Sequence, residues 1–177
     1  HCGLVGSEMC IRDRDISIPI YKDLAKQAPH MVCEKHATNV STNLIVNQFK
    51  PPFDNADIRK AMVLTIDRAA FNKILGHGEF IMSGALLPPP HGVWGMPPEV
   101  LKNVAGYHPD VAGNRAQAQK IMKKLGYGPD NPLKIKVATR NIAIYRDPAV
   151  LLIDHLKEIY IEGELDTVET SNWHAKV

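Results

Sequence analysis

The sequence is poor in cysteine, in aromatic side chains and in net charge. Three of its 177 residues are cysteine, 6% are aromatic, and 21 Lys+Arg against 19 Asp+Glu give a net charge of +2. Cys2, Cys10 and Cys33 cannot all pair and show no Cys-x-x-Cys spacing, so they indicate no disulfide framework or metal site. Since the chain also lacks a concentrated basic surface, we expect no nucleic-acid partner.

Long hydrophobic runs are also missing. The longest purely apolar run, Ala149 to Ile153, falls far short of the roughly 18 residues that a membrane span needs, so we expect a soluble chain. Residues His1 to Arg14 show no basic region followed by an apolar one, so no secretory signal is visible there. With 45% hydrophobic and 23% charged residues, the composition is that of an ordinary globular domain.

The chain divides into three parts. Residues 1–14 lack periodicity, and their string Glu-Met-Cys-Ile-Arg-Asp resembles translated sequencing-adapter read-through, so we interpret them as a non-native segment. Residues 15–42 are a lead-in, where Ile20 to Gln27 predicts a short helix and Met31 to His36 a strand. Residues 43–177 carry the regular patterns and form the main unit.

The first half of the main unit predicts a strand and two helices. Asn43 to Phe49 is an apolar run stopped by Lys50-Pro51-Pro52, which favours a buried strand. Asp54, Asn55 and Asp57 then offer N-cap oxygens and first-turn negative charge to a helix. That helix has an apolar face at helical spacing, namely Ile58, Ala61, Met62, Thr65 and Ile66. Asp67 caps a second helix, Arg68 to Leu75, which Gly76 ends.

The second half predicts a strand, a helix and a strand after a long loop rich in glycine and proline. The loop, residues 76–106, contains one short helical piece at Pro97 to Val104, and a helix follows at Asn114 to Leu125. The later elements are a strand at Leu133 to Val137 with one wet face, a helix with Pro148 at its first position, a strand at Glu164 to Glu169, and a helix capped by Ser171. This order predicts a βαβ unit in a mixed α/β (α+β) fold.

Catalytic and metal-binding patterns are lacking. No phosphate-binding glycine motif or nucleophile elbow occurs, and His77, His91 and His108 match no metal-ligand spacing. We therefore predict no catalytic residues, no metal and no cofactor.

Ligand binding is the function that remains to be considered. Each candidate residue can also be explained by a structural role alone. Trp94 offers contact area from a glycine-flanked loop, or it pins that loop. Polar groups between the Leu133–Val137 strand and the next helix lie where open α/β sheets place ligands, or they are exposed loop charges. Two amide side chains interrupt the Asn43–Phe49 run. They either reach a ligand or form hydrogen bonds with neighbouring backbone groups. The predicted ligand-binding residues are Asn47, Gln48, Trp94, Arg140, Asn141 and Tyr145.

One block of residues resembles a known family. Asn43 to Phe71 is similar to the strand, Pro-Pro-Phe and Ile-Asp-Arg signature of the large solute-binding proteins of ABC importers, the peptide, dipeptide and nickel type. Six residues match that signature: Asp54, Arg59, Ala61, Ile66, Asp67 and Arg68. The Gly92–Gly95 loop and the Asn114–Tyr127 helix resemble later family segments, and the likeness runs from Ala28 to Val177.

The resemblance implies a portion of a two-lobed periplasmic-binding-protein fold, mainly the second lobe and a hinge-crossing strand near Asn43–Gln48. Proteins of this kind close two lobes on a ligand. It further implies that the chain captures a peptide or similar small solute outside the inner membrane and delivers it to ABC permease subunits. Contact with the membrane would come only through the permease or a lipid anchor on an N-terminal segment not in this chain. A peptide-directed enzyme or a sensor or chaperone-like binder on the same scaffold is the alternative.

Overall fold

A computed structural model of the chain describes residues 2–3, 18–30, 32–33, 42–80 and 96–176. The elements, in chain order, are β1 Cys2–Gly3, α1 Ile18–Gln27, β2 Val32–Cys33, α2 Ala56–Thr65, α3 Arg68–Leu75, α4 Pro98–Leu101, α5 Val111–Lys124, β3 Leu133–Arg140, α6 Ala143–Lys157, β4 Ile161–Val168 and α7 Thr170–Lys176. β1 and β2 pair over two residues, antiparallel. None of the described helices is long and apolar enough to cross a membrane.

Side-chain hydrogen bonds at the N-caps fix the first residues of helices α2 and α3. The Asn55 side chain accepts a hydrogen bond from the Asp57 N–H at 2.8 Å, and Asp67 accepts one from the Ala70 N–H at 2.9 Å. These bonds satisfy N–H groups that have no partner inside the first turn of a helix. Both N-caps and the bounds of α3 are confirmed.

The βαβ unit is also confirmed. β3 and β4 are parallel and in register from Leu133 opposite Ile161 to Arg140 opposite Val168, with α6 as the crossover between them. Parallel neighbours need such a crossover because the chain must return to the same end of the sheet. Lys134 and Lys136 are exposed, so one face of β3 is exposed to solvent, as predicted.

The main core joins the helices to the amino-terminal ends of both strands. Ala118 and Met122 of α5 are fully buried, as are Leu156 of α6 and Ile161 at the start of β4. The cluster comprises Ile58, Ala61, Met62, Leu64, Ala118, Met122, Leu133, Leu152, Leu156, Ile159 and Ile161. Because this packing concentrates at the first residues of the strands, it holds the sheet from that end.

The buried strand predicted at Asn43–Phe49 is wrong. Residues 42–47 are irregular and 48–49 form a turn, and the side chains of Ile45 and Phe49 are each 86% exposed. An extended segment becomes a strand only when a neighbour supplies ladder hydrogen bonds, and no described strand pairs with this one. Val46 alone packs against the main core.

Other element bounds move by a few residues. β3 extends to Arg140, and β4 begins at Ile161 instead of Glu164, because the two strands pair along eight positions. Helix α5 begins at Val111, since Asp110 provides the cap by accepting a hydrogen bond from the Gly113 N–H. Helix α4 occupies only Pro98–Leu101 within its predicted range.

Helices α6 and α7 also start earlier than predicted. α6 begins at Ala143, so Pro148 lies inside it. Proline lacks an N–H and so cannot donate to the carbonyl four residues before, but the Arg146 N–H already donates to Ile142 at 2.9 Å and establishes the first turn. α7 begins at Thr170, so Ser171 is a helical residue and not its cap.

Gly163 lies where β4 and α6 approach each other closely enough to exclude a side chain, so its substitution by alanine tests the packing of the two elements. A Cβ at this position of β4 would lie 2.8 Å from Cγ1 of Ile153 in α6, a residue whose branched side chain is buried. We expect Gly163→Ala to lower the free energy of unfolding by about 1–3 kcal/mol through overpacking. Urea unfolding followed by circular dichroism measures it.

The matched control is Gly128→Ala, because a Cβ there meets nothing within 4 Å. Combining Gly163→Ala with Ile153→Ala should cost less than the sum of the two single changes, since the second removes the clashing atoms. Additive costs in this cycle would contradict the close contact.

Candidate functional site

The carboxyl edge of the β3–β4 sheet is the candidate site. Because the strands are parallel, Arg140 and Val168, their last residues, lie opposite each other at one edge. The Asn141 N–H donates to the Val168 carbonyl at 2.9 Å, which continues the pairing one residue past β3. The residues after both strands are therefore brought side by side at the end of the sheet remote from the main core.

Arg140 is the charged centre of this edge. Its guanidinium lies over the Tyr145 ring, 4.9 Å from the ring centroid, and its Nη2 donates to Thr170 Oγ1 at 3.4 Å. Its Nε is buried and has no hydrogen-bond partner among the described residues. A buried donor without a partner is unfavourable, so this guanidinium has hydrogen-bonding capacity that its surroundings do not use.

Asn141 and Glu169 form the second pair at the edge. Asn141 Nδ2 donates to Glu169 Oε1 at 3.0 Å, which links the residue after β3 to the residue after β4. The bond orients the amide so that its other polar atom, Oδ1, is available as an acceptor. We call Arg140, Asn141, Tyr145, Glu169 and Thr170 the edge cluster.

Apolar side chains flank the edge cluster. Ile142 and Ile144 are 38% and 41% exposed, and Tyr145 is 41% exposed. Hydrogen-bonding groups next to exposed apolar and aromatic surface make a combination typical of small-molecule sites. The edge can therefore contact both the polar and the apolar parts of a solute.

Three of the six predicted site residues meet in this cluster: Arg140, Asn141 and Tyr145. The prediction placed all three in a loop between strand and helix, which is wrong for two of them. Arg140 is the last residue of β3 and Tyr145 lies in the first turn of α6, because the strand pairing extends further and the helix starts earlier than the sequence indicates.

The other predicted residues are not brought to the cluster. Asn47 and Gln48 are exposed, and Asn47 Oδ1 accepts from the Phe49 N–H at 3.1 Å, so its amide stabilises a local turn. No hydrogen bond joins either residue to the edge cluster. Trp94 lies outside the described residues.

Sequence reasoning missed Glu169 and Thr170. The signal that could have found them is the parallel pairing, because residues that follow parallel strands meet at one edge of the sheet. Predicting β4 to end at Glu169 hid the fact that this residue follows the strand.

Among the described residues, no group of three His, Cys, Asp or Glu side chains is placed to hold a metal ion. Of the three histidines considered from the sequence, His77 and His108 are exposed, and His91 lies outside the described part of the chain.

The fold resembles solved binding proteins: the Escherichia coli murein tripeptide-binding protein MppA matches 89% of this chain and 30% of its own, with a TM-score of 0.64 and 22% identity. Haemophilus influenzae OppA, crystallised with the peptide RPPGFSPFR, matches 73% of this chain and 25% of its own, with a TM-score of 0.60 and 24% identity. The predicted mixed α/β, partial periplasmic-binding-protein fold is confirmed.

A curated relative agrees with the structural comparison. The periplasmic oligopeptide-binding protein OppA of Haemophilus influenzae is 29% identical over 96 residues, which are 52% of this chain and 16% of that protein. The chain thus spans less than a third of the length of each of these relatives.

The chain shares its α/β fold with these solved binding proteins. The chain belongs to the bacterial extracellular solute-binding proteins of family 5, whose middle-region model matches residues 13–177. Members of this family are binding proteins, and the resemblance found in the sequence is confirmed.

The Arg140–Tyr145 contact is directly testable. In a double-mutant cycle of Arg140→Gln and Tyr145→Leu, we expect a coupling of about 0.5–1 kcal/mol, because the cation lies over the ring face. Chemical denaturation of the four chains measures it. Arg146→Gln combined with Tyr145→Leu is the control, since Arg146 pairs with Asp147 at 3.3 Å. Equal coupling in the two cycles would contradict the specific contact.

Proposed function

We propose that this chain is part of the substrate-binding component of an ABC importer and captures a peptide or similar small solute. The observation that carries the proposal is the edge cluster, which places the guanidinium of Arg140 and the side-chain amide of Asn141 next to the exposed Ile142 and Ile144. Peptide bonds present carbonyl acceptors and N–H donors, which match the donors of Arg140 and the acceptor of Asn141.

Support for a peptide also comes from the relatives. OppA of Haemophilus influenzae was crystallised with a nonapeptide, and a protein named DppA from Helicobacter pylori, with a TM-score of 0.55, was solved in complex with the peptide STSA. The exposed Ile142, Ile144 and Tyr145 suit the side chains of such a ligand, while the polar groups suit its main chain.

The partners and location follow from the same role. We propose that ABC permease subunits receive the solute and that the protein works in the periplasm or another extracytoplasmic space. We assign residues 43–177 to one partial lobe of the binding protein, with residues 15–42 as a lead-in and 1–14 as a non-native segment. Asn47, Gln48 and Trp94 stay predicted ligand contacts.

Nuclear magnetic resonance of the 177-residue chain tests the edge cluster. A single lobe provides only part of a two-lobed cleft, so we expect weak binding, with a dissociation constant of about 1 mM or above. Titration with a mixture of tripeptides and tetrapeptides should shift the amide resonances of Arg140 to Tyr145 and of Glu169 and Thr170. The turn at Gly128–Asn131, at the other end of the sheet, should not shift.

Two variants make this experiment specific. Arg140→Gln should weaken binding about tenfold, because it removes the charged donor from the edge. Lys134→Gln, the matched control, removes an exposed cation from the other end of the same strand and should leave binding unchanged. Shifts confined to another surface, or equal effects of the two substitutions, would contradict the proposed role of the cluster.

A further inference from the structure

His155 is an unusual residue in the core of this fold. Only Thr65, Thr139 and His155 are buried polar or charged residues in the part of the chain that the structure describes, and His155 is just 5% exposed. It lies near the end of α6, remote in sequence from the helices that it contacts. It takes no part in the edge cluster.

The histidine joins α6 to the corner between α2 and α3. Its Nδ1 accepts a hydrogen bond from the Asp67 N–H at 3.4 Å, and its ring packs edge-to-face on Phe71 with centroids 5.2 Å apart. Its backbone carbonyl accepts from Thr65 Oγ1 at 3.0 Å. Two of these three contacts depend on the imidazole itself, so the state of the ring affects how the corner is held.

The hydrogen bond to Asp67 requires an unprotonated Nδ1. In the neutral ring Nδ1 is then the acceptor and Nε2 carries the proton. Burial lowers the pKa of His155 below its ordinary value of 6.5, and the positive charge of Arg115 on α5 lowers it further. The carboxylates of Asp67, at the corner, and of Asp154 and Glu158, around the end of α6, act in the opposite direction.

We propose that His155 is a pH-responsive clasp, which holds the α2–α3 corner on α6 when the imidazole is neutral and releases α3 when it is protonated. Protonation would turn Nδ1 from an acceptor into a donor that faces the N–H donor of Asp67. It would also add a second cation near Arg115, inside the packed region. Both changes oppose the contacts that the neutral ring makes.

Helix α3 is only lightly attached to the core. None of its residues is fully buried, although Phe71 packs against the main core. Its other attachment is Arg68, which donates to the Gly106 carbonyl and lies 3.9 Å from the centroid of the Tyr107 ring. Elements with little buried apolar surface open locally before the whole domain unfolds.

The direction of the pH effect follows from linkage. Since the pKa of His155 is lower in the folded than in the unfolded chain, the open state binds the proton first as the pH falls. The stabilisation by the neutral ring is complete above the ordinary pKa of 6.5 and is lost as the pH falls from there towards the folded-state pKa.

Hydrogen exchange of the 177-residue chain tests the clasp. Between about pH 7.5 and about pH 5.5, with intrinsic exchange rates corrected, we expect protection of the α3 amides to fall by up to roughly tenfold per unit of pKa difference. Protection of the amides of α5 and β4 should change much less.

Two histidine variants isolate the group. His155→Gln introduces a side chain that does not titrate and should make α3 protection independent of pH. His108→Gln is the matched control, because His108 is exposed and its Nδ1 also accepts a backbone N–H, from Asp110 at 3.2 Å. The control should lose α3 protection on acidification as the unsubstituted chain does. If His155→Gln loses as much α3 protection over the same pH range, the proposal is overturned.

A measurement on the unsubstituted chain covers the case in which His155→Gln does not fold. The ring carbon resonances of His155 and the amide resonance of Asp67 are followed in one pH titration. The proposal requires both to change with the same midpoint, below the ordinary histidine value of 6.5. An Asp67 amide that does not respond when His155 titrates would overturn it.

Discussion

The parallel pairing of β3 with β4 is the constraint on which the rest of this structure depends. It fixes which residues meet at the carboxyl edge, since Arg140 opposite Val168 brings the residues after both strands together. It also dictates the crossover, because α6 must carry the chain back along the sheet. At Gly163 the helix comes so close that a Cβ would meet Ile153. The candidate site and the placement of α6, which carries His155, follow from this one ladder.

The main core lies at one end of the sheet, and the candidate site lies at the other. Leu133 and Ile161, the first residues of the two strands, are part of the main core with α2 and α5. The carboxyl edge, in contrast, carries exposed side chains and a buried guanidinium Nε with no described partner. A rigid layer that presents adaptable groups at its edge is a common way to build a binding site. This division is consistent with a family of proteins that bind solutes and need no catalytic group.

Local signals in the sequence identified much of the fold. Asn55 and Asp67 were found as N-caps because a cap acts on N–H groups only two or three residues away. Asn43–Phe49 failed because an apolar run does not show whether a partner strand is present. Three of the five residues of the edge cluster were predicted, because Arg140, Asn141 and Tyr145 follow the first predicted strand of the βαβ unit. Glu169 and Thr170 depend on a register between residues about 28 apart in sequence, which no local pattern contains. His155 was missed because its position on an apolar helix face gives no sign of its contacts.

Four charged side chains on the exposed face of the β3–β4 sheet determine where a further strand or layer can be added. Lys134 and Lys136 stand opposite Glu162 and Glu164, with Lys136 and Glu164 4.0 Å apart and both largely exposed. A second layer laid over this face would have to remove four charged groups from water, at a penalty of several kcal/mol for each ion. A strand added beside β3 or β4 would meet backbone groups that pair with no other strand in the described part of the chain, and it would leave these charges hydrated. Any larger sheet that includes this pair therefore extends sideways, in the plane of the ladder.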